Sequence, residues 1–419
     1  MKRELPGRYP AMLREYIYWQ SREMLHPAEG PLKHPFLTPG SACYCNTLWD
    51  WDSWLMDVAL RQVLLDCPEM DDSQIAAGEE GCILNFLESC SPEGYIPIFI
   101  HTFKDPDLTG GLDTNMHKPN LAQHAAFVAR CTGSADFIRP HMEKIVRFVE
   151  RYFREFRHAC GLFFWKDDFA IGVDNDPSTF YRPKNSSGSI YLNALMYREL
   201  LAVAYLYEKL GDGAQAVCWH NRADALRAAI QKYCWDERDG CFYSVDFNLL
   251  PIDPAQKLHA GRPRHWDCLI MRFGVWSSFL AMWAGIATPE QAERMVREHI
   301  TNAKTFWAPY GVRTMSKLEA MYSLDASGNP SNWLGPVWGI SNYMVFRGLV
   351  RYGYEDEAAA LVEKTVELFG RDLELNGCFH EYYDPDLGEP IINPGFQNWN
   401  WLVLNMMAWY EDKPQAIEI

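Results

Sequence analysis

The chain has 419 residues, of which 48% are hydrophobic, 22% charged and 14% aromatic, a core-rich composition that excludes a disordered chain. Its 39 basic and 55 acidic residues leave a net charge of −16 without any Lys/Arg-rich run, which argues against nucleic acid or an anionic membrane as a partner. The 16 Trp, 21 Tyr and 22 Phe exceed the needs of an ordinary core, a surplus that suits either stacking on sugar faces or bulky helix packing.

Taken in chain order, helical periodicity predicts twelve helices, near 9–26, 50–67, 72–91, 119–132, 136–157, 189–211, 213–236, 267–284, 288–300, 336–352, 354–370 and 396–411. Residues 1–25 carry charges throughout and lack the apolar stretch of a signal peptide, so a cytoplasmic location is expected. The most apolar stretch, 266–287, is interrupted by Asp267 and Arg272 and reads as a buried helix rather than a membrane span. The twelve cysteines form no CxxC pair and HExxH is absent, so no metal site, disulfide framework or cofactor is expected.

The connections into every second helix are long, at 27–49, 92–118, 158–188, 237–266, 301–335 and 371–395, and the other five are nearly absent. Helices after long loops, such as IYLNALMYRELLAVAYLY, are apolar around most of their circumference. Those after short loops, such as EDEAAALVEKTVELFGRDL, set one apolar stripe against a charged face. Six buried helices alternating with six amphipathic ones predict an all-α (α/α)6 toroid, with residues 1–419 as one catalytic domain and the six long loops gathered around a funnel at one end. The competing architecture is an α-solenoid, whose repeats would resemble one another at a fixed period.

Four long loops carry polar and aromatic clusters beyond what a connection requires. Asn46–Trp54 places Asp52 beside Trp51 at the mouth of the first inner helix, to accept sugar hydroxyls or to act as an acid on the helix dipole. The third long loop carries Gly172-Val173-Asp174-Asn175-Asp176-Pro177, and the sixth carries His380-Glu381-Tyr382-Tyr383-Asp384-Pro385. Positions three and six face each other in a six-fold ring, so their carboxylates approach a bound sugar from opposite sides. That is the geometry of an inverting glycosidase, in which one carboxylic acid protonates the leaving oxygen and the other carboxylate activates water.

The segments WDWDSW, GVDNDP, YGVRTMS, NWLGPVWGISNY and HEYYDPDLG occur in an order that resembles glycoside hydrolase family 63 and its relatives, over nearly the whole chain from Trp49 to Trp399. The resemblance implies an inverting, exo-acting α-glycosidase on an α/α toroid that takes a small α-glucoside or α-mannoside, with Asp174 as acid and Glu381 as base. It also implies sugar-binding roles for Trp51, Asp52, Gln123, Trp333, Trp338 and Gln397. The chain departs from the family pattern at Asp176, where Ser is usual and a second carboxylate competes for the acid role. It departs again at Asn332-Trp333-Leu334, where Tyr-Trp-Arg is usual, and at Leu387 in place of Thr.

A chain filled by twelve helices most resembles the mannosylglycerate and glucosylglycerate hydrolases of that group. The acidic aglycone this implies needs a cation, for which Lys104, Lys118, Arg182 and Lys184 are candidates and Arg182 the first choice. A sugar epimerase using His117 and His124, and a sugar-binding pseudoenzyme, are the alternative readings; the presence of both carboxylates argues against the latter.

Overall fold

The computed structural model describes residues 4–68, 72–108, 115–249, 266–326 and 330–419. Parts of the second, fourth and fifth long loops (109–114, 250–265 and 327–329) lie outside the described residues. Among the described residues, twelve helical elements are arranged in two rings. The outer ring holds α1 (Tyr9–Gln20), α3 (Asp72–Glu88), α5 (Met142–Glu155), α7 (Gly213–Tyr233), α9 (Pro289–Arg294, continued by a π turn Met295–Ile300) and α11 (Glu355–Asn376). The inner ring holds α2 (Asp50–Asp66), α4 (Leu121–Thr132), α6 (Ile190–Leu210), α8 (a 3-10 turn Trp276–Phe279 running into Leu280–Trp283), α10 (Gly339–Arg351) and α12 (a 3-10 turn Asn398–Leu402 running into Val403–Tyr410).

Burial follows the sequence pattern. Every residue of α2 from Asp50 to Val63 is buried, as is every residue of α6 from Ile190 to Leu200. In α7 only a stripe at helical spacing is buried: Ala216, Trp219, Ala223, Leu226, Ala229 and Ile230. Each inner helix packs on the next, and α12 packs back on α2, so the ring closes; α1 likewise packs on α11 outside it. Closure between the first and last inner helices is what an open solenoid lacks.

Three boundaries differ from expectation, each because another interaction takes the backbone. The stretch expected to be helical from 267 begins its helix only at Trp276, because Leu269–Ile270 pairs as a strand with Val245–Asp246 and leaves Trp266 and Leu269 exposed. Helix α1 stops at Gln20 because Leu25–His26 pairs with Phe36–Leu37. Helix α11 runs past Gly370 to Asn376; that glycine does not end the helix but admits Tyr9 of α1, whose ring would lie 2.2 Å from an added Cβ.

The long loops lead into the N-termini of the inner helices and are stitched in neighbouring pairs. Thr47–Trp49 pairs with Phe99–His101, Ser187–Gly188 with Val245–Asp246, and Val337–Trp338 with Tyr382–Tyr383. A bridge between Gly40 and Phe396 joins the first loop to the last. Among the described residues, no helix is long and apolar enough to cross a membrane.

Candidate active site

Five of the six long loops line one cavity of about 410 Å³ at the N-terminal end of the inner ring, a size suited to a small ligand. Asp174 and Glu381, predicted from opposite loops, both line it, together with Trp51, Asp52, Trp333 and Trp338.

Asp174 is carried on a loop segment locked from two sides. Asn175 donates from Nδ2 to Asn332 Oδ1 at 3.0 Å, and its own Oδ1 accepts the Trp333 backbone N–H at 2.7 Å, tying the third loop to the fifth. Gly172 has φ +86°, and a Cβ there would lie 2.7 Å from Lys118 Cε and 2.9 Å from Trp51 Cζ2. Only glycine meets both the left-handed backbone and the close approach. Asp176 does not line the cavity: it is buried, and its Oδ1 accepts the Ser178 N–H at 2.8 Å, closing the turn that follows Asp174. Burial raises its pKa, and its bond to the Ser178 N–H holds the turn.

Glu381 is 5% exposed, and its pKa is pushed up to about 7. Burial is the main cause and the negative charge of Asp174 adds to it, while hydrogen bonds from Asn393 and Tyr44 oppose the shift. Tyr44 Oη donates to the two carboxylate oxygens at 3.3 and 3.4 Å, and Asn393 Nδ2 donates to Oε2. Asn393 holds a left-handed backbone, φ +51°, to reach that position.

At the start of α2, two acids meet different fates. Asp50 is buried but stays ionised: burial alone would raise its pKa, and Lys118 outweighs that, with Nζ at 2.9 and 3.1 Å and its backbone N–H at 2.9 Å. Asp52 is pushed up to about 7 by burial and by the charge of Asp50, against Lys118 and the amide of Asn398, which donates to Oδ1. The aromatic wall is stacked, with Trp333 and Trp338 3.9 Å apart at 10° and Tyr382 4.8 Å beyond Trp338. Trp399 and Trp49 also line the cavity, and their buried indole N–H groups have no protein acceptor.

Several expected residues sit elsewhere. Gln123 is fully buried in α4, and its amide donates to Pro119 O at 2.7 Å and Leu195 O at 3.1 Å. Gln397 donates to Tyr16 Oη at 2.8 Å and accepts from Trp401 Nε1 at 2.9 Å. Neither glutamine lines the cavity. Arg182 does not line it either, because its guanidinium pairs with Asp246 and so fastens the third loop to the fourth. Lys118, taken as a free cation, is consumed by Asp50 and lies 5.0 Å over the Trp51 ring. Lys184 lies 4.0 Å from Asp167, and Lys104 borders a smaller neighbouring cavity.

His117 and His124 also stay out of the cavity. Burial lowers their pKa to about 4 and about 3, and they bond to Lys118 O and Asp57 respectively. Among the described residues, no group of three His, Cys, Asp or Glu is arranged to hold a metal.

Sequence reasoning missed Tyr44, Asn393 and Asn398, which hold the two raised carboxyls. The run Asn393–Trp399, just ahead of the last inner helix, held the signal in its density of amides and aromatics.

The family model for the mannosylglycerate hydrolase MGH1-like glycoside hydrolase domain matches residues 46–401. The chain belongs to that family. Among relatives of this MGH1-like domain, a cytosolic neutral trehalase of Kluyveromyces lactis is 28% identical over 224 residues, which is 50% of this chain and 27% of the relative. Mannosylglycerate hydrolase MGH1 of Selaginella moellendorffii is 31% identical over 182 residues, 42% of this chain and 33% of the relative. The matched part of the chain thus spans about a quarter to a third of the length of these relatives.

In fold, the MGH1-like domain is similar to the mannosylglycerate hydrolase of Thermus thermophilus solved with glucose, with TM-score 0.67 at 18% identity over 93% of this chain and 99% of that one. Neutral trehalase Nth1 of Saccharomyces cerevisiae gives TM-score 0.61 at 16% identity, over 97% of this chain and 80% of that one.

Proposed function

We propose that the protein is an inverting, exo-acting α-glycosidase that hydrolyses a small α-glucoside or α-mannoside. The observation that carries this is the meeting of Asp174 and Glu381, from the third and sixth long loops, in one cavity walled by stacked tryptophans. Asp174 protonates the glycosidic oxygen as it leaves. Glu381, oriented by Asn393 and Tyr44, takes a proton from the water that attacks the anomeric carbon from the other side. The two carboxyls repel each other, which favours the singly charged pair this division of labour needs. Trp51, Asp52, Trp333 and Trp338 hold the sugar ring.

Relatives are named both mannosylglycerate hydrolase and trehalase. An acidic aglycone needs a cation, and the pairing of Arg182 with Asp246 removes the best one, so a neutral α-glycoside is favoured. A cytoplasmic site of action is supported by the twelve free cysteines and by the cytosolic trehalases among the relatives. The closed ring supports reading 1–419 as one catalytic domain.

Proton NMR in the first minutes of hydrolysis tests the mechanism: an α-glycoside should release the β-sugar first, and initial α-sugar would overturn the water-activating role of Glu381. Asp174→Asn and Glu381→Gln should each lower kcat by about 10² to 10⁴ while the protein stays folded.

A further inference from the structure

We infer that Phe169 and Tyr181 form an aglycone platform at the mouth of the catalytic cavity, and that its occupant is a neutral ring, a second sugar, rather than a small acid. The inference rests on the glycosidase reading above and names the leaving-group side of that site.

Both rings line the cavity, yet Phe169 is 67% and Tyr181 84% exposed. Phe180 lines the cavity too and lies 4.1 Å from Tyr181 between ring centroids. Large exposed rings cost free energy in water, and these are held there by a fixed backbone rather than left to collapse. Asn115 Nδ2 donates to Phe169 O at 2.6 Å, Asp167 Oδ1 accepts the Phe169 N–H at 3.1 Å, and Asp168 Oδ2 accepts the Tyr181 N–H at 2.8 Å. Tyr181 itself has φ +57° and Ala170, next to Phe169, has φ +63°, a strained conformation for side-chain-bearing residues. Phe169 also borders the neighbouring cavity of about 240 Å³, so apolar surface continues outward from the reaction centre.

Charge selects the occupant. Among the described residues, the cavity lining carries Asp52, Asp168, Asp174 and Glu381 against Lys118 alone, and Lys118 is bound to Asp50. The adjoining cavity adds Lys104 against Asp105 and Asp107, so an aglycone carboxylate would meet a net negative lining, whereas the apolar C–H face of a pyranose can lie on an aromatic ring at no electrostatic cost.

The experiment compares α-linked disaccharides with an α-glycosyl fluoride, whose leaving group is one atom and does not reach the platform. Phe169→Ala and Tyr181→Ala should each lower the ratio of kcat/KM for the best disaccharide to kcat/KM for the fluoride, by roughly 2- to 10-fold per ring, chiefly through KM. An unchanged ratio overturns the platform. A sugar–glycerate conjugate cleaved with a higher kcat/KM than every disaccharide overturns the neutral aglycone. If the wild type cleaves no glycosyl fluoride, the glycosidase reading fails separately. Calorimetric titration of disaccharides into the wild type and the double variant then decides the platform: weaker binding by the variant supports it, and equal or absent binding overturns it.

Discussion

Glu381 and Asp52 share one predicament, a carboxyl buried against the wall of an aromatic cavity, and a few donors decide how far each rises. Glu381 is useful as a base only when ionised, so with its pKa near 7 the value of kcat/KM should rise as pH increases through about 7 and fall away below it. Asn393 lowers that pKa by donating to the carboxylate, so removing the amide must move the limb upward. Asn393→Gly tolerates the left-handed backbone and deletes the donor to Glu381, together with the acceptor of the Cys43 thiol. The acidic limb of its pH–rate profile should therefore shift to higher pH, whereas a purely structural role would lower activity equally at every pH. The sign is specific to Glu381, because Asn393 is not among the groups that set Asp52.

The third long loop shows how an element without regular structure becomes rigid. Its position relative to the inner ring is set by Asn175 against the fifth loop, Arg182 against the fourth, and Gly172 against Lys118 and Trp51. Gly172→Ala should displace the backbone just before Asp174, because the methyl meets the stem of a buried lysine and an indole edge. We expect a loss of about 1 to 3 kcal/mol in stability, read from the denaturation midpoint, together with a fall in kcat larger than that in a distant loop variant of equal stability. Asn175→Ala should cost about 1 to 3 kcal/mol, since it leaves the buried Trp333 N–H without an acceptor.

At the scale of the molecule, the end of the ring opposite the cavity is crossed by residues 414–419. Gln62 of α2 bonds to Pro414 O at 3.1 Å and to the Ala416 N–H at 3.0 Å. The buried Glu418 carboxylate accepts from Arg347 at 2.9 and 3.2 Å, from Trp283 Nε1 at 3.0 Å and from Tyr343, while Arg198 donates to Ile419 O at 3.1 Å. Three inner helices, α6, α8 and α10, are thereby joined around one chain end. Burial alone would raise the Glu418 pKa, and Arg347 and Arg198 outweigh that, so Glu418 contributes stability above its unfolded-state pKa that is lost as pH falls through its lower folded value. Glu418→Gln leaves the buried Arg198 and the part-buried Arg347 without their counter-charge. It should cost about 3 kcal/mol or more, measured by chemical denaturation near neutral pH, with the difference from wild type shrinking in acid.

The alternation of all-apolar and one-striped helices, and of long and short connections, determined the double ring from sequence, because burial on all sides and burial on one side demand different residue patterns. The facing of the third and sixth loops followed from that ring by its symmetry, while the choice of Asp174 and Glu381 among their carboxylates came from the resemblance to the motifs of glycoside hydrolase family 63. What the sequence left open was the allegiance of each polar side chain in the loops. Lys118 and Arg182 looked alike as free cations until Asp50 and Asp246 arrived from 68 and 64 residues away. Gln123 and Gln397 looked like sugar ligands, but their amides satisfy carbonyls and hydroxyls of packed helices. Tyr44 went unnoticed because nothing local marks it, and the amide-rich run Asn393–Trp399 marks a polar cluster without saying which carboxylate Asn393 and Asn398 hold. Pattern is a property of neighbours along the chain and can be read there; a buried charge takes whichever partner the closed ring brings within hydrogen-bonding distance, and only tertiary structure decides which that is.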